Sequence, residues 1–375
     1  MANEHDDLIL LTGATGFLGG AVAVELMRQR QGDRLLLMVR GADAADAHAR
    51  VTSQLRRLGA PEESLRRLRP AQILLASLER VESIAGDTRL ARVGVAIHCA
   101  AHASFTAHPA MGALNVDASV ILAHLLQRYA PLRRFVYIGT AMACGNRQPA
   151  GSDIPESAAL PLDERAHLVP YTHSKAVCEL LLRKMAPALP LVVLRPSIVV
   201  GHTRLGCAPS ASIYWVFRAW RALGASVAEL RQKIDVVPVD WCAAAVAAAA
   251  LRPEWKHGLL HLSAGAQRSC SFADIDAELA RAAGESPGAY GILPPERLPE
   301  LLPRIRERLP DCNPRLMLRA LRLYGGFARL GYTFDNRAMQ EAGIPPPPPL
   351  TRYIGLCAQS VAHQPVSQQM AWDFK

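Results

Sequence analysis

The stretch TGATGFLGG, residues 12–20, constrains the chain more than any other. It joins an apolar run, LILLTG (Leu8 to Gly13), to a segment with helical spacing from Phe17 to about Arg30. Gly13, Gly16 and Gly19 stand three apart at the junction. A buried strand that ends in glycine and opens directly into a helix is the start of a strand–helix–strand unit. Each glycine has a physical reason to be there. Gly13 permits the tight turn, Gly16 lets backbone approach a pyrophosphate, and Gly19 lets the helix lie close on the sheet. The helix N-terminus then offers N–H groups and a positive dipole end to phosphate. The expected role is dinucleotide binding, with Gly13, Thr15, Gly16, Phe17, Leu18 and Gly19 in the cradle.

Further apolar runs follow: RLLLMVR (Arg34 to Arg40), AQILLAS (Ala71 to Ser77), VGVAIHCAA, RRFVYIGT (Arg133 to Thr140) and PLVVLRPS (Pro190 to Ser197). Helical segments separate them, including 114–128 and 174–185. Continuous apolar strands alternating with helices imply a parallel sheet covered on both faces, hence a doubly wound α/β fold. After Ser197 the pattern changes to a loop, two helical stretches, the extended IDVVPVDW, and GLLHLSAG (Gly258 to Gly265), which reads as a strand rejoining the sheet. From about Ser271 the chain is mainly helical and rich in Arg and Pro. The proline run Pro345 to Pro349 must be extended and is expected to end the compact part or to space off the C-terminal segment. The predicted division is a nucleotide-binding domain over 1–205 and about 235–266, a smaller, mainly helical substrate domain over about 206–234 and 267–344, and a tail over 345–375.

The second strand ends at Arg40, where an NAD-selective site would carry an acidic residue for the ribose 2′-hydroxyl. A cation there suits a 2′-phosphate, so NADPH (NADP+) is the expected cofactor, with Arg50 a second phosphate contact or a solvated helix residue. Ligands of such sheets bind at the C-terminal strand ends. Thr140 ends the fifth strand there, and YTHSK (Tyr171 to Lys175) and RPSIVVG follow. Hydride addition to a carbonyl leaves an oxyanion that needs a proton. A tyrosine can donate it, a lysine one helical turn away favours tyrosinate and can hold the nicotinamide ribose, and the Thr140 hydroxyl can fix the substrate oxygen. Thr140, Tyr171 and Lys175 are therefore the candidate catalytic residues.

These stretches together resemble an extended short-chain dehydrogenase/reductase of Rossmann type. More narrowly, VAIHCAAHASF, LNVDAS, RRFVYIGTA, VVLRPSIVVGHTRLG and DVVPVDW resemble the branch of fatty acyl-CoA reductases and of the terminal thioester reductase domains of carboxylic acid reductases and nonribosomal peptide synthetases. The resemblance covers about residues 8–265. It implies that Ala100, Ala101 and Asn115 contact or support the cofactor and that Pro196, Ser197 and Ile198 lie near the nicotinamide. The family's third strand usually ends in Gly-Asp-Leu, with the Asp near the adenine; here it reads Ala76-Ser77-Leu78, and Ser77 is left to bond the base with Leu78 beside it. The residue before the catalytic hydroxyl is usually serine, and here it is Gly139. The implied reaction is NADPH-dependent reduction of an acyl thioester to an aldehyde, with a second hydride giving the alcohol. Two alternatives stand beside it: a dehydrogenase of a hydroxysteroid, ketone or sugar nucleotide, and a dinucleotide sensor without activity.

The formal net charge of +9 over 375 residues favours acidic partners. RIRERLPDCNPRLMLRALRLYGGFARLG, Arg304 to Gly331, is basic and amphipathic. It reads as a lid or core helix with a solvated arginine face, as a landing site for an acyl carrier protein or coenzyme A, or as a membrane-surface helix. No aromatic-basic platform for nucleic acid is present. Eight dispersed cysteines without a CxxC pair read as reduced thiols, and no metal site is expected. Cys144 is expected to be a small buried residue, His98 a packed or backbone-bonded histidine, and His173 a surface residue. MANEHDD lacks the pattern of a signal peptide, and WCAAAVAAAAL is too short to span a bilayer, so a cytoplasmic location is expected.

Overall fold

The computed structural model describes residues 7–104, 108–210 and 212–371. Residues 1–6, Phe105 of the HCAAHASF stretch and the last four residues of the expected tail lie outside them. The apolar runs form seven strands: β1 (Leu8–Thr12), β2 (Leu35–Val39), β3 (Ile73–Leu75), β4 (Val93–His98), β5 (Arg134–Ile138), β6 (Leu191–Pro196) and β7 (Leu259–Leu262). They lie in the order β7-β6-β5-β4-β1-β2-β3, and every neighbouring pair is parallel. Parallel pairing needs a crossover between strands. Here the crossovers run outward in both directions from β1 and β4. A crevice therefore opens between these two strands at their C-terminal ends, the place where such sheets bind ligands.

Eight helices of ten residues or more are seen among the described residues: α1 (Phe17–Arg28), α2 (Ala44–Arg57), α3 (Ala118–Tyr129), α4 (Pro170–Lys184), α5 (Tyr214–Leu223), α6 (Val239–Leu251), α7 (Phe272–Ala283) and α8 (Pro314–Leu330). Helices α1, α2 and α6 cover one face of the sheet and α3 and α4 the other. This explains why the central strands are apolar at every position rather than at alternate ones. Residue 94 is a glycine inside β4, yet that strand is buried throughout. A second apolar core lies beyond the strand ends, built from α5, α7, α8 and the chain after the proline run.

Several boundaries differ from the sequence expectation. β3 is shorter than the run Ala71 to Ser77, because Pro70–Gln72 takes a 3₁₀ turn led by proline. The helix expected from 114 opens with a π turn over Ala113–Asp117 before α3 begins. α4 starts at Pro170, ahead of the expected Ser174, since proline suits a first helical position whose N–H has no partner. The proline run does not release a tail. Trp241 Nε1 donates to the Pro345 carbonyl at 2.7 Å and the Arg268 guanidinium to Pro347 at 3.1 Å. Leu350, Tyr353, Ile354, Cys357 and Val361 then enter the second core. No helix among the described residues is long and apolar enough to cross a membrane.

Candidate active site

At the crevice the glycine loop takes the shape its sequence demands. Gly13 has φ +79°, and a Cβ there would meet the Ala100 backbone nitrogen at 2.8 Å. A Cβ on Gly19 would meet the Gly13 carbonyl oxygen at 2.3 Å. The loop and the first turn of α1 are thus pressed together to a distance that only glycine allows. Thr12, the last residue of β1, fixes the neighbouring strand end. Its hydroxyl accepts from the Ala100 N–H at 3.0 Å and donates to His98 Nδ1 at 2.8 Å. Ser119 Oγ donates to the Asn115 carbonyl at 2.9 Å, so it accepts from His98 Nε2 at 2.8 Å. Directions along this chain leave a single proton on the imidazole, at Nε2. Burial holds His98 neutral, pushing its pKa down to about 3. His98 is packed, as expected, but its partners are side chains rather than backbone.

Asn115 is buried behind the loop after β4. Its amide accepts from the His102 N–H at 2.7 Å and donates to the His102 carbonyl at 3.1 Å and to Ser174 Oγ at 3.0 Å. Ser174 Oγ in turn donates to the Tyr171 carbonyl at 2.8 Å. The loop that borders the crevice is thereby tied to the first turn of the helix bearing Tyr171 and Lys175. Asn115 braces this loop and is not among the residues lining the cavity.

A cavity of about 670 Å³ runs from the glycine loop to the second core. Gly13, Thr15, Gly16, Phe17, Leu18, Gly19, Ala101, Pro196, Ser197 and Ile198 line it, as do Thr140, Tyr171 and Lys175. Ala100 does not; its N–H is spent on Thr12. Arg40, Arg50, Ser77 and Leu78 also lie off the cavity wall, at or beyond the ends of β2 and β3. Arg40 is exposed, and the Arg50 guanidinium donates to its carbonyl at 2.7 Å. The Ser77 hydroxyl bonds Glu79, and this bond, with Arg40 nearby, holds the Glu79 carboxyl below its ordinary range.

The three candidate catalytic side chains converge on the cavity from different elements. Thr140 caps the turn after β5, where its Oγ1 accepts the Met142 N–H at 3.3 Å. Its own proton has no acceptor among the described residues and is left for a ligand. Lys175 is 3% exposed, and its ammonium sits 4.4 Å from the centre of the Tyr137 ring. It has no hydrogen-bond acceptor among the described residues. Burial pushes its pKa down to about 8. Burial also pushes the Tyr171 phenol up to about 12. Sequence reasoning expected the lysine to draw the tyrosine down. Desolvation prevails here, and it favours the protonated phenol, the state a proton donor needs.

Sequence reasoning missed the rest of the wall. His102 lines the cavity, its ring 4.5 Å from that of His108. Asp235 is buried beside Ser197 and Ile198, and burial pushes it up to about 6 against backbone N–H bonds from Ala264, Gly265 and Phe334. At the far end Val216, Phe217 and Trp220 of α5 face Tyr324, Phe327 and Ala328 of α8. The helical spacing of the apolar residues in α8 was the available signal for that wall. Its arginines lie opposite: Arg315, Arg319, Arg322 and Arg329 are all exposed. Cys144 is half-buried rather than fully buried, and desolvation pushes its thiol up to about 12. His173 bonds the Leu162 carbonyl at 3.0 Å.

The likeness to known proteins follows the same geometry. FrzA of Cladobotryum, a non-canonical nonribosomal peptide synthetase, is 26% identical over 334 residues, which cover 82% of this chain and 32% of that protein. The fatty acyl-CoA reductase wat of Drosophila melanogaster is 25% identical over 286 residues, 65% of this chain and 54% of that one. The chain thus spans between a third and about half of these relatives. The terminal R domain of the myxalamid PKS-NRPS pathway has the same fold, with a TM-score of 0.74 at 22% identity over 96% of this chain and 91% of that one. Residues 11–246, more than half of the sequence, match the NAD-binding family described as male sterility protein, and the chain belongs to that family of reductases.

Proposed function

We propose that the protein is an NADPH-dependent reductase of acyl thioesters, releasing an aldehyde and a free thiol. The observation that carries this reading is the convergence of Thr140, Tyr171 and Lys175 on a cavity with a glycine cradle at one end and an apolar wall at the other. The residues fit a dinucleotide. A Cβ would fill the space at Gly13 and Gly19, and the Lys175 ammonium offers its donors into the cavity unspent. Gly13 to Gly19 would hold the pyrophosphate on the N-terminus of α1, and Lys175 a ribose. Arg40, exposed at the end of β2, supports preference for the 2′-phosphate. A reduced nicotinamide, when bound, supplies the hydride.

The chain's own groups do the rest. The Thr140 hydroxyl donates to the thioester oxygen and orients the carbonyl. As negative charge develops there, Thr140 and Tyr171 stabilise it, and Tyr171 passes its proton to the oxygen. The hemithioacetal then collapses: its hydroxyl loses its proton as the C=O bond forms, the C–S bond breaks, and the departing thiolate takes up a proton, leaving aldehyde and thiol. Lys175, charged below pH of about 8, stabilises the tyrosinate that remains. The apolar faces of α5 and α8 would receive the acyl group and exclude water. We assign dinucleotide binding to residues 1–205 and about 235–266, and acyl binding to the helical lobe.

The exposed arginines of α8 have no acidic partner among the described residues, and they support docking of an acidic acyl carrier protein or of coenzyme A phosphates. Eight free thiols support a cytoplasmic location. The test is NADPH oxidation measured in parallel with acyl-CoA, acyl carrier protein, free aldehyde and sugar nucleotides. Turnover of the thioesters is expected; turnover of sugar nucleotides alone would refute the proposal.

A further inference from the structure

Behind Thr140 lies a buried ion pair that the scheme above does not use. Glu179 is 0% exposed and Arg195 1%. Arg195 Nε donates to Glu179 Oε2 at 2.8 Å and its terminal nitrogen to Oε1 at 2.6 Å, a bidentate pairing. Arg195 also donates to the Ser157 carbonyl at 2.9 Å, and Arg183 Nε donates to Glu179 Oε1 at 2.8 Å. A buried pair of this kind is a poor source of stability, since desolvation opposes the attraction. Its placement suggests another use.

Glu179 is on α4, one turn after Lys175 and two after Tyr171, so all three share one face of the helix. Arg195 is on β6, beside the end of β5. Gly139, the residue before Thr140, lies directly over the pair. A Cβ at 139 would meet Arg195 Cγ at 3.3 Å and Glu179 Oε2 at 3.5 Å, while the Gly139 N–H donates to the Leu194 carbonyl at 2.8 Å. The pair thus joins the helix that carries Tyr171 and Lys175 to the strands that end at Thr140. A side chain at 139 would rest directly on the pair, with a shift of a few tenths of an ångström at Arg195.

We propose that Glu179 and Arg195 are positioning residues that lock α4 to the strand end bearing Thr140, with Glu179 sustaining the charge of Lys175. This rests on the reading of Thr140, Tyr171 and Lys175 given above. The groups facing Lys175 are Cys178 and Glu179 on its own helix, His98 and Cys99 from β4 and the loop after it, and the Tyr137 ring from β5. Burial opposes the ammonium, and Glu179 is the carboxylate among the groups that favour it. Arg183 would still pair with Glu179 if Arg195 were removed.

The two single variants should therefore act in opposite directions. In full-length protein, NADPH affinity is measured by fluorescence titration from pH 7 to 10, with the alkaline loss identified through Lys175→Met, which should abolish it. Glu179→Gln should move that loss to lower pH by about one unit, and Arg195→Met should move it to higher pH. Glu179→Asp keeps the charge and shortens the side chain; the loss should stay at the wild-type pH while turnover falls about tenfold. If Glu179→Gln does not fold, Arg195→Met and Glu179→Asp carry the test. Losses at one pH in all variants, or shifts in one direction, would overturn the inference in favour of a mere brace. So would wild-type turnover in Glu179→Asp. A wild-type pH dependence in Lys175→Met would instead refute the reading of Lys175 itself, and the inference with it.

Discussion

The two ends of the cavity are built in different ways. The glycine end comes from residues adjacent in the chain, Gly13 to Gly19, a short loop and the first turn of α1, whose backbone is the proposed nucleotide-binding surface. The apolar end, the proposed acyl site, comes from α5 and α8, about a hundred residues apart, whose side chains line the same cavity. Backbone recognition needs glycine at fixed positions, because a single Cβ closes the gap. Side-chain recognition tolerates exchange among apolar residues, so long as volume is kept. The first end therefore leaves a motif in the sequence and the second does not.

Substitutions should separate the two ends. Gly19→Val places a side chain where even a Cβ would come within 2.3 Å of the Gly13 carbonyl oxygen. It should lower NADPH affinity by about 100-fold or more, measured by fluorescence titration. Comparable affinity in this variant would break the contrast, since the backbone would not be the binding surface. Phe327→Ala, at the other end, should raise KM for an apolar acyl thioester about tenfold and leave NADPH affinity unchanged. Equal effects on both ligands would mean that the ends are one site. Arg40→Asp should shift preference from NADPH towards NADH by a few-fold to about tenfold, read as the ratio of kcat/KM values. A small effect is expected, because Arg40 is exposed and screened.

pH sharpens the same contrast. Lys175 is depressed to about 8, so the ammonium is lost as pH rises through that value rather than near the usual 10.5. Cofactor affinity and turnover should both fall above pH of about 8. Val216, Phe217, Trp220 and Phe327 at the apolar end carry no titratable group, and KM for an acyl thioester should stay level until turnover fails.

How much of this was readable follows from the same physics. β1, β2 and β4 to β7 announced themselves as apolar runs because helices cover both faces of the sheet. The positions of Thr140, Tyr171 and Lys175 followed from strand and helix ends. The Asn115 clamp was not readable in its detail, since its partners, His102 and Ser174, lie 13 and 59 residues away. Ser77 and Leu78 are expected at the adenine by resemblance alone, and the bond from the Ser77 hydroxyl to Glu79 was not readable. The proline run looked like a spacer because proline cannot continue a helix. Its carbonyls, however, remain acceptors, and Trp241 and Arg268 use them to bind it down. The effect of burial on Tyr171 was not readable, because charge proximity is visible in a sequence and depth of burial is not.

The central claim is that Tyr171 gives the proton after hydride reaches the thioester carbonyl. Tyr171→Phe removes that proton and leaves the glycine cradle and Lys175 in place. The variant should bind NADPH within about twofold of wild type, while kcat for acyl-thioester reduction falls by about 100- to 10 000-fold. Unchanged turnover in Tyr171→Phe, with cofactor bound as in the wild type, would contradict the account.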